Sequence, residues 1–283
     1  MLTATVLALT AAVLHAGWNL AVKQSAHDRF IALWAQFAFG GIIALVALLA
    51  TGGMTAEGWR WASLSGCVHL PYCLLLARAY RHGDFSQVYP IARGGGAFLA
   101  AIGGVVLLGD DVRPWGIVAI VIIAAGLVAL AGRANGPAAL VAVCVAVSIG
   151  AYTLLDTKGS RVTSAAGTTV GKLGYGLASS TMTMVTLSAY GILTRRSQEL
   201  RAVLRADWSR FLLAGVASLV TYTLVLVAVR SASVGYVAAL RESSVVLAAL
   251  VGWRFLGEGD ARRRLTASGI VLSGLVLLVT LGR

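Results

Sequence analysis

The sequence predicts an all-α membrane protein whose ten transmembrane helices form two inverted five-helix repeats. Of its 283 residues, 58% are hydrophobic and only 12% are charged, and the mean hydropathy is +0.84. A soluble domain carries about a quarter charged residues. The charges here separate apolar runs of roughly twenty residues, the length that crosses a bilayer core of about 30 Å. The remaining observation is an internal repeat at a shift of 148 residues.

The apolar runs place the ten spans in order along the chain. They cover residues 2–22, 30–50, 61–80, 86–108, 114–131, 137–155, 165–193, 211–229, 233–256 and 265–281. No Lys or Arg precedes the first run, and it exceeds the signal-peptide core of about 7–15 residues, so we expect it to be kept as a helix. The connectors are short except the one around 194–210, which leaves no room for a separate soluble domain.

The net charge of +12 raises the question of nucleic acid, but the basic residues lie in short connectors, as at Arg195 and Arg196. Anionic lipid headgroups are the simpler partner for such residues, and no nucleic acid is expected. The three cysteines fall inside apolar runs, with no CxxC pair and no histidine spacing that suits a metal. We interpret them as small packing residues: Cys67, Cys73 and Cys144. No cofactor is predicted.

The internal repeat aligns two stretches of the chain without a gap. The shift places Leu107 to Asp111 on Phe255 to Gly259, and it places Arg93 on Arg241. Nearer the N-terminus the match is looser, and Gly17-Trp18-Asn19-Leu20 corresponds to Ala151-Tyr152-Thr153-Leu154. The chain therefore divides into units 1–134 and 135–283 of five helices each. Because five is odd, the second unit enters the membrane from the opposite side, as in transporters built from inverted repeats.

With these features the sequence resembles the drug/metabolite transporter superfamily, specifically its EamA-type members. The resemblance rests on the ten spans, the duplicated unit and the Leu-Gly-Asp/Glu end of each fourth span, at Gly109-Asp110 and Gly257-Glu258. It implies a cavity between two halves, alternating access, and export of small metabolites such as amino acids across a bacterial-type inner membrane. Other branches carry sugar phosphates or lipid-linked sugars, so a flippase or translocator for such molecules is the alternative.

Ionisable residues inside the spans are the candidate site residues, since each costs at least about 2.5–3.5 kcal/mol in hydrocarbon. Arg93 and Arg241 occupy equivalent positions in the two units. A guanidinium pair there would bind a carboxylate or phosphate, although each arginine could instead tie helix ends together. Glu242 is either a proton-coupling carboxylate or a buried partner for Arg93 or Lys172.

Two helices carry polar stripes that should face the interior of the bundle. The polar residues of the first helix lie at positions i, i+3, i+4 and i+8, counted from His15. Those of the sixth helix, which include Tyr152 and Asp156, are four residues apart, so each set lies on one face of its helix. Further substrate-binding candidates are His15, Trp18, Asn19 and Tyr152, and a second coupling candidate is Asp156. For His15 the simpler interpretation is a hydrogen-bonded core histidine. Inner aromatic residues such as Tyr72 and Tyr222 are interpreted as packing residues.

Other function classes fit the sequence less well. Asp110-Asp111 is the nearest approach to a catalytic acidic pair, but no further aspartate follows and no hydrolase or metalloprotease motif occurs, so no enzyme is predicted. A passive channel suits an inverted repeat less well than alternating access does. The first helix holds His15 and Lys23 but no acid, which disfavours cationic drugs. The predicted substrate is an anionic or zwitterionic metabolite, with the proton as candidate coupling ion.

Two arguments disagree on orientation. Connectors after odd-numbered helices hold most of the Lys and Arg, including the 195–210 cluster, so the positive-inside rule places both termini outside. The family resemblance implies cytoplasmic termini instead.

Overall fold

The computed structural model describes residues 1–23, 25, 27–82, 85–131, 136–164, 169–246 and 261–281. Within these residues it contains ten α-helices and no strand, which confirms the all-helical prediction. The helices are α1 Leu2–Lys23, α2 Arg29–Ala50, α3 Ala56–His82, α4 Phe85–Leu108, α5 Pro114–Ala131, α6 Gly136–Ser164, α7 Thr169–Leu193, α8 Ser197–Ala228, α9 Val234–Arg241 and α10 Ala261–Thr280.

Several helices have the length and composition of membrane spans. Among the described residues, four qualify fully: Arg29–Ala50, Ile91–Leu108, Ala139–Thr163 and Ser197–Ala228. Shorter apolar helices occur at Leu2–Trp18, Pro114–Ala129 and Thr266–Thr280. Large aliphatic side chains stand exposed on outer faces in both halves of the chain, for example Val106, Leu213 and Val276. Such faces are unfavourable in water, so lipid is their natural solvent.

The bounds of α8 differ from the prediction. We expected a long connector around 194–210, but only 194–196 separates α7 from α8, so that prediction was wrong. Hydropathy finds only the membrane-crossing part of a helix, whereas the charged segment before it is rich in the helix formers Glu, Leu, Arg and Ala. Helical geometry is interrupted at Asp207 (φ −134°, ψ 28°), which divides α8 into two segments.

Two other bounds also differ. Helix α6 continues to Ser164, well beyond the predicted end at 155, because its final turns carry polar residues that hydropathy scored as a connector. Helix α9 ends at Arg241, and the chain makes a turn at Glu242 before a further helical stretch at 243–246. The rest of the predicted span 233–256 lies outside the described residues.

The helices of the two chain halves pack against each other. Helix α6 lies against α3 and α4, and α1 lies against α8 and α9. Helix α2 packs on α7 and α8, α3 packs on α7, α4 packs on α5 and α9, and α5 packs on α10. Close approach at the α4–α6 contact depends on glycine, since a Cβ atom added at Gly96 would lie 2.5 Å from Ile149 Cγ2. Small residues at such contacts let membrane helices approach closely.

The first Leu-Gly-Asp segment fastens one end of the bundle. Gly109 has φ +69°, and the Asp110 amide donates to the Gly104 carbonyl oxygen at 2.9 Å, a hydrogen-bonded helix end that favours glycine. The Asp110 carboxylate accepts from Arg161 Nη1 at 2.5 Å and from the Val234 amide at 2.7 Å. The α4–α5 connector is thereby tied to α6 and to the start of α9. The matching Glu258 lies outside the described residues.

Candidate functional site

A cavity of about 680 Å³, including space that is open to solvent, lies among the helices of both halves. Eight helices contribute its wall, and neither α5 nor α10 adds a described residue to it. The wall combines arginine, histidine, aromatic and small hydroxyl side chains. It consists of His15, Trp18, Gln36, Phe37, Gly40, His69, Tyr72, Arg93, Tyr152, Ser179, Ser180, Thr183, Gly215, Ser218, Leu219, Thr221, Tyr222 and Arg241.

The two repeat-related arginines meet at this cavity. Arg93 extends from α4 and Arg241 from the last turn of α9, and these helices pack against each other. Both side chains are buried, with relative exposures of 6% and 7%. Both guanidinium groups line the same cavity, where their like charges repel each other. Burying like charges side by side is unfavourable, so the site needs negative charge nearby.

Glu242 supplies part of that negative charge. Arg93 Nη2 donates to Glu242 Oε1 at 2.7 Å, and Glu242 is only 2% exposed. The carboxylate reaches α4 because Glu242 forms the C-cap of α9, one residue after Arg241. Its other oxygen, Oε2, and Arg241 Nε have no hydrogen-bond partner within the described parts of the chain. Arg93 has the ion pair with Glu242, and no ion pair of Arg241 is found among the described residues, so Arg241 is the less compensated of the two arginines.

Asp156 lies directly behind the cavity wall and is fully buried. Its Oδ1 accepts from the Tyr175 hydroxyl at 2.8 Å and from Ser179 Oγ at 3.1 Å, and its Oδ2 accepts from the Tyr222 hydroxyl. Gly159 permits this arrangement, because a Cβ atom there would lie 2.3 Å from the Tyr175 ring. Since Ser179 and Tyr222 also line the cavity, Asp156 is one hydroxyl away from it.

Aromatic rings form much of the remaining wall. His69 stacks on Tyr152 with ring centroids 4.1 Å apart, and Tyr72 meets Tyr152 edge-on at 5.4 Å. His15 and Trp18 form a second edge-on pair at 4.7 Å. His69 Nδ1 lies 3.0 Å from the Ser65 carbonyl oxygen, which can only accept, so Nδ1 carries a proton. Packing thus fixes the rings that a bound molecule would contact.

The family profile described as "EamA-like transporter family" matches residues 136–280, half of the chain. The chain belongs to the EamA-like transporter family. A solved structure titled "Crystal structure of protein" superposes with a TM-score of 0.73 at 20% sequence identity, covering 99% of this chain and 98% of that one. At this identity the likeness concerns the fold alone. No protein of curated function matches the sequence. The chain is thus a multi-pass membrane transporter of the drug/metabolite transporter type.

The cavity of this EamA-like transporter brings together most of the residues that the sequence singled out. Five of them line it: Arg93, Arg241, His15, Trp18 and Tyr152. Glu242 and Asp156 stand behind the wall, bonded to Arg93 and to wall hydroxyls. Asn19 belongs to α1, but its side chain lies outside the described residues.

Other wall residues were missed or interpreted otherwise. Tyr72 and Tyr222, which the sequence predicts to be packing residues, both line the cavity. Gln36 and His69 were not singled out at all. A usable signal existed, because each is a polar residue in the middle of an apolar run, where such residues are costly and tend to face the interior.

Proposed function

We propose that this transporter is a secondary exporter of a small anionic or zwitterionic metabolite, an amino acid or a related compound, in a bacterial-type inner membrane. The observation that carries the proposal is the presence of Arg93 and Arg241 in one cavity where, among the described residues, one carboxylate pairs with them, that of Glu242 with Arg93. A guanidinium that lacks a partner for its Nε, as Arg241 does within the described structure, suits the oxygens of a carboxylate or phosphate.

The lining of the cavity favours a small polar molecule. Eight helices enclose it, and arginine, aromatic and hydroxyl side chains converge on it. Hydroxyl groups from α7 and α8 offer further hydrogen bonds to a polar ligand. A phosphorylated or lipid-linked sugar is the second candidate, because the same arginine pair would bind its phosphate equally well.

Alternating access is supported by the packing of the two halves. We exchange each helix of α1 to α5 with its counterpart in α6 to α10. The contact between α3 and α6 then becomes the contact between α8 and α1. The contact between α4 and α6 becomes the contact between α9 and α1. The structure contains both members of each pair. The contacts α2–α7, α4–α9 and α5–α10 map onto themselves. This pattern is expected of two inverted five-helix repeats that rock about a site between them.

Asp156 is the proposed proton-coupling group. Among the described buried carboxylates, Glu242 and Asp110 each have an arginine partner. Asp156 is held by hydroxyl groups, which can donate to the ionised form and rotate to accept from the protonated form. It can therefore change its protonation without losing its neighbours.

The proposal is tested with the purified full chain in liposomes. Preloaded unlabelled substrate should drive uptake of the same labelled substrate against its gradient, using a panel of amino acids, dicarboxylates and sugar phosphates. Arg241→Gln should reduce this counterflow at least tenfold, whereas Arg78→Gln, which alters an exposed arginine of α3, should not. Full counterflow in Arg241→Gln would rule out the binding role, and a panel response limited to sugar phosphates would favour the second candidate.

The coupling is tested in the same liposomes. An imposed proton gradient should change the rate of substrate flux by the wild-type protein. Asp156→Asn should keep counterflow, which needs no coupling ion gradient, and lose the response to the proton gradient. An unaltered response in this variant would exclude Asp156 as the coupling group.

A further inference from the structure

Gln36 is a buried amide with nothing to bind in the described structure. It lies on α2, which is otherwise apolar around it, and its relative exposure is 0%. Both Nε2 and Oε1 lack a hydrogen-bond partner among the described residues. The result does not depend on which way the amide is turned, since both ends are unpaired. Buried polar groups are normally paired, so an orphan amide needs an occupant.

Gln36 faces the transport cavity, and it is not alone there. Thr221 Oγ1 on α8 and Trp18 Nε1 on α1 are also buried without a partner within the described residues, and both residues line the same cavity. The backbone around Gln36 is fixed by tight packing. A Cβ atom at Gly215 would lie 2.7 Å from the Gln36 carbonyl oxygen, so α2 and α8 are in direct contact here.

The amide and the arginines belong to different sides of the cavity. Helix α2 packs mainly against α7 and α8, whereas Arg93 and Arg241 extend from α4 and α9. Aromatic rings line the wall beside the amide. Phe37, next to Gln36, has its ring centroid 6.4 Å from that of His69, and His69 stacks on Tyr152. The amide and the arginine pair thus offer separate contacts from different helices of one cavity.

We propose that Gln36 is a second recognition point, which binds an uncharged hydrogen-bonding group of the substrate while the arginine pair holds its anionic group. This inference rests on the proposed function. An amide both donates and accepts, so it suits a hydroxyl or carboxamide at the far end of the substrate. The residue would select against anions that have an apolar far end, because those would leave the amide unpaired.

Two probes that differ by one hydroxyl test this role. Phenylacetate and 4-hydroxyphenylacetate share an anionic end and a flat ring, and only the second offers a hydroxyl at the far end. Binding to the purified full chain is measured by titration calorimetry. The wild-type protein should bind the hydroxylated probe about tenfold more tightly, which corresponds to one net hydrogen bond. Gln36→Met, which keeps the length of the side chain, should remove this preference.

The controls separate this inference from the proposed function. Gln198→Met changes an exposed glutamine and should leave both affinities unchanged. Arg241→Gln should weaken both probes to the same extent. If it does so while Gln36→Met keeps the preference, the second recognition point is refuted and the anion site stands. Equal wild-type affinities, or no binding of either probe, would also refute the inference. If Gln36→Met is more stable than the wild-type protein but binds both probes with unaltered affinities, the amide contacts water only. That outcome would refute the second recognition point.

Discussion

Arg93 and Glu242 form an ion pair in the part of the molecule where charge is most costly. Their side chains are 7% and 2% exposed, and the nitrogen–oxygen distance is 2.7 Å. Attraction within such a pair offsets much of the desolvation cost, but removal of one partner leaves the other charge buried alone. The pair therefore holds α4 and the end of α9 together while it lines the transport cavity.

We expect Glu242→Gln to destabilise the protein by about 3 kcal/mol, because Arg93 loses its counter-charge. The midpoint of thermal unfolding in detergent measures the loss. The double variant Arg93→Met with Glu242→Leu should recover part of it, since neither member of the pair is then left buried without the other. Glu199→Gln breaks an exposed pair with Arg196 and should have little effect. An unchanged midpoint in Glu242→Gln would show that the pair does not stabilise the fold.

At the scale of single residues, the sequence predicts position along a helix better than contacts between helices. The repeat related Arg93 to Arg241, and spacing placed Tyr152 and Asp156 on one face of α6. The hydroxyls that hold Asp156 come from α7 and α8, and no spacing within one helix could identify them. Gln36 could be singled out as a polar residue within an apolar run, but only the structure reveals that its amide has no partner among the described residues.

Among the elements, the corner where α2 and α8 begin shows how charge positions helices outside the hydrocarbon. Arg196 donates to Glu199 at 2.8 and 2.6 Å and lies 3.2 Å from Asp28, the N-cap of α2. The hydrogen bond from Arg196 lowers the pKa of the exposed Glu199 carboxyl. A lowered carboxyl pKa contributes stability above its ordinary value, and that contribution is lost as the pH falls through the lowered value.

The ten apolar runs predicted the existence and order of the helices, but not every boundary. Hydropathy identifies residues that prefer lipid, and it does not register a helix that continues into water, as α8 does from Ser197. It also did not register the turn at Glu242 that ends α9 beside the cavity. The helix boundaries that were predicted wrongly are those set by charged side chains and hydrogen bonds rather than by the length of the apolar run.

The connector between α4 and α5 should stabilise one end of the bundle through Asp110. Its carboxylate is 5% exposed and binds both Arg161 and the Val234 amide. We expect Asp110→Asn to cost about 2 kcal/mol, because the amide has no charge to pair with Arg161 and only one acceptor oxygen for its two donors. Thermal unfolding in detergent measures the change. Asp111→Asn alters the exposed neighbouring aspartate and serves as the control. Equal midpoints for the two variants would contradict this role.

For the whole molecule, exchange of the two halves preserves the main helix contacts, such as α3–α6 with α1–α8, but the charges are not exchanged with them. Exposed arginines concentrate at the face where α8 begins, at Arg195, Arg201 and Arg205. On the opposite face, Arg161 is bound to Asp110 and Arg230 donates to Ser160 Oγ at 2.9 Å. Packing is thus nearly symmetric, whereas the charge available to lipid headgroups differs between the two faces.

This asymmetry predicts that the face where α8 begins is cytoplasmic and that both termini lie outside, because the positive-inside rule counts Lys and Arg in short connectors. Arginines already bound within the protein, such as Arg161, add little to that count on the opposite face. A C-terminal alkaline phosphatase fusion should therefore be active and a C-terminal green fluorescent protein fusion dark. Fusions made after Arg196, at the opposite face, should give the reverse pattern. Replacing Arg201 and Arg205 by Gln should produce a mixture of both orientations, and a bright C-terminal fluorescent fusion in the wild-type chain would overturn the assignment.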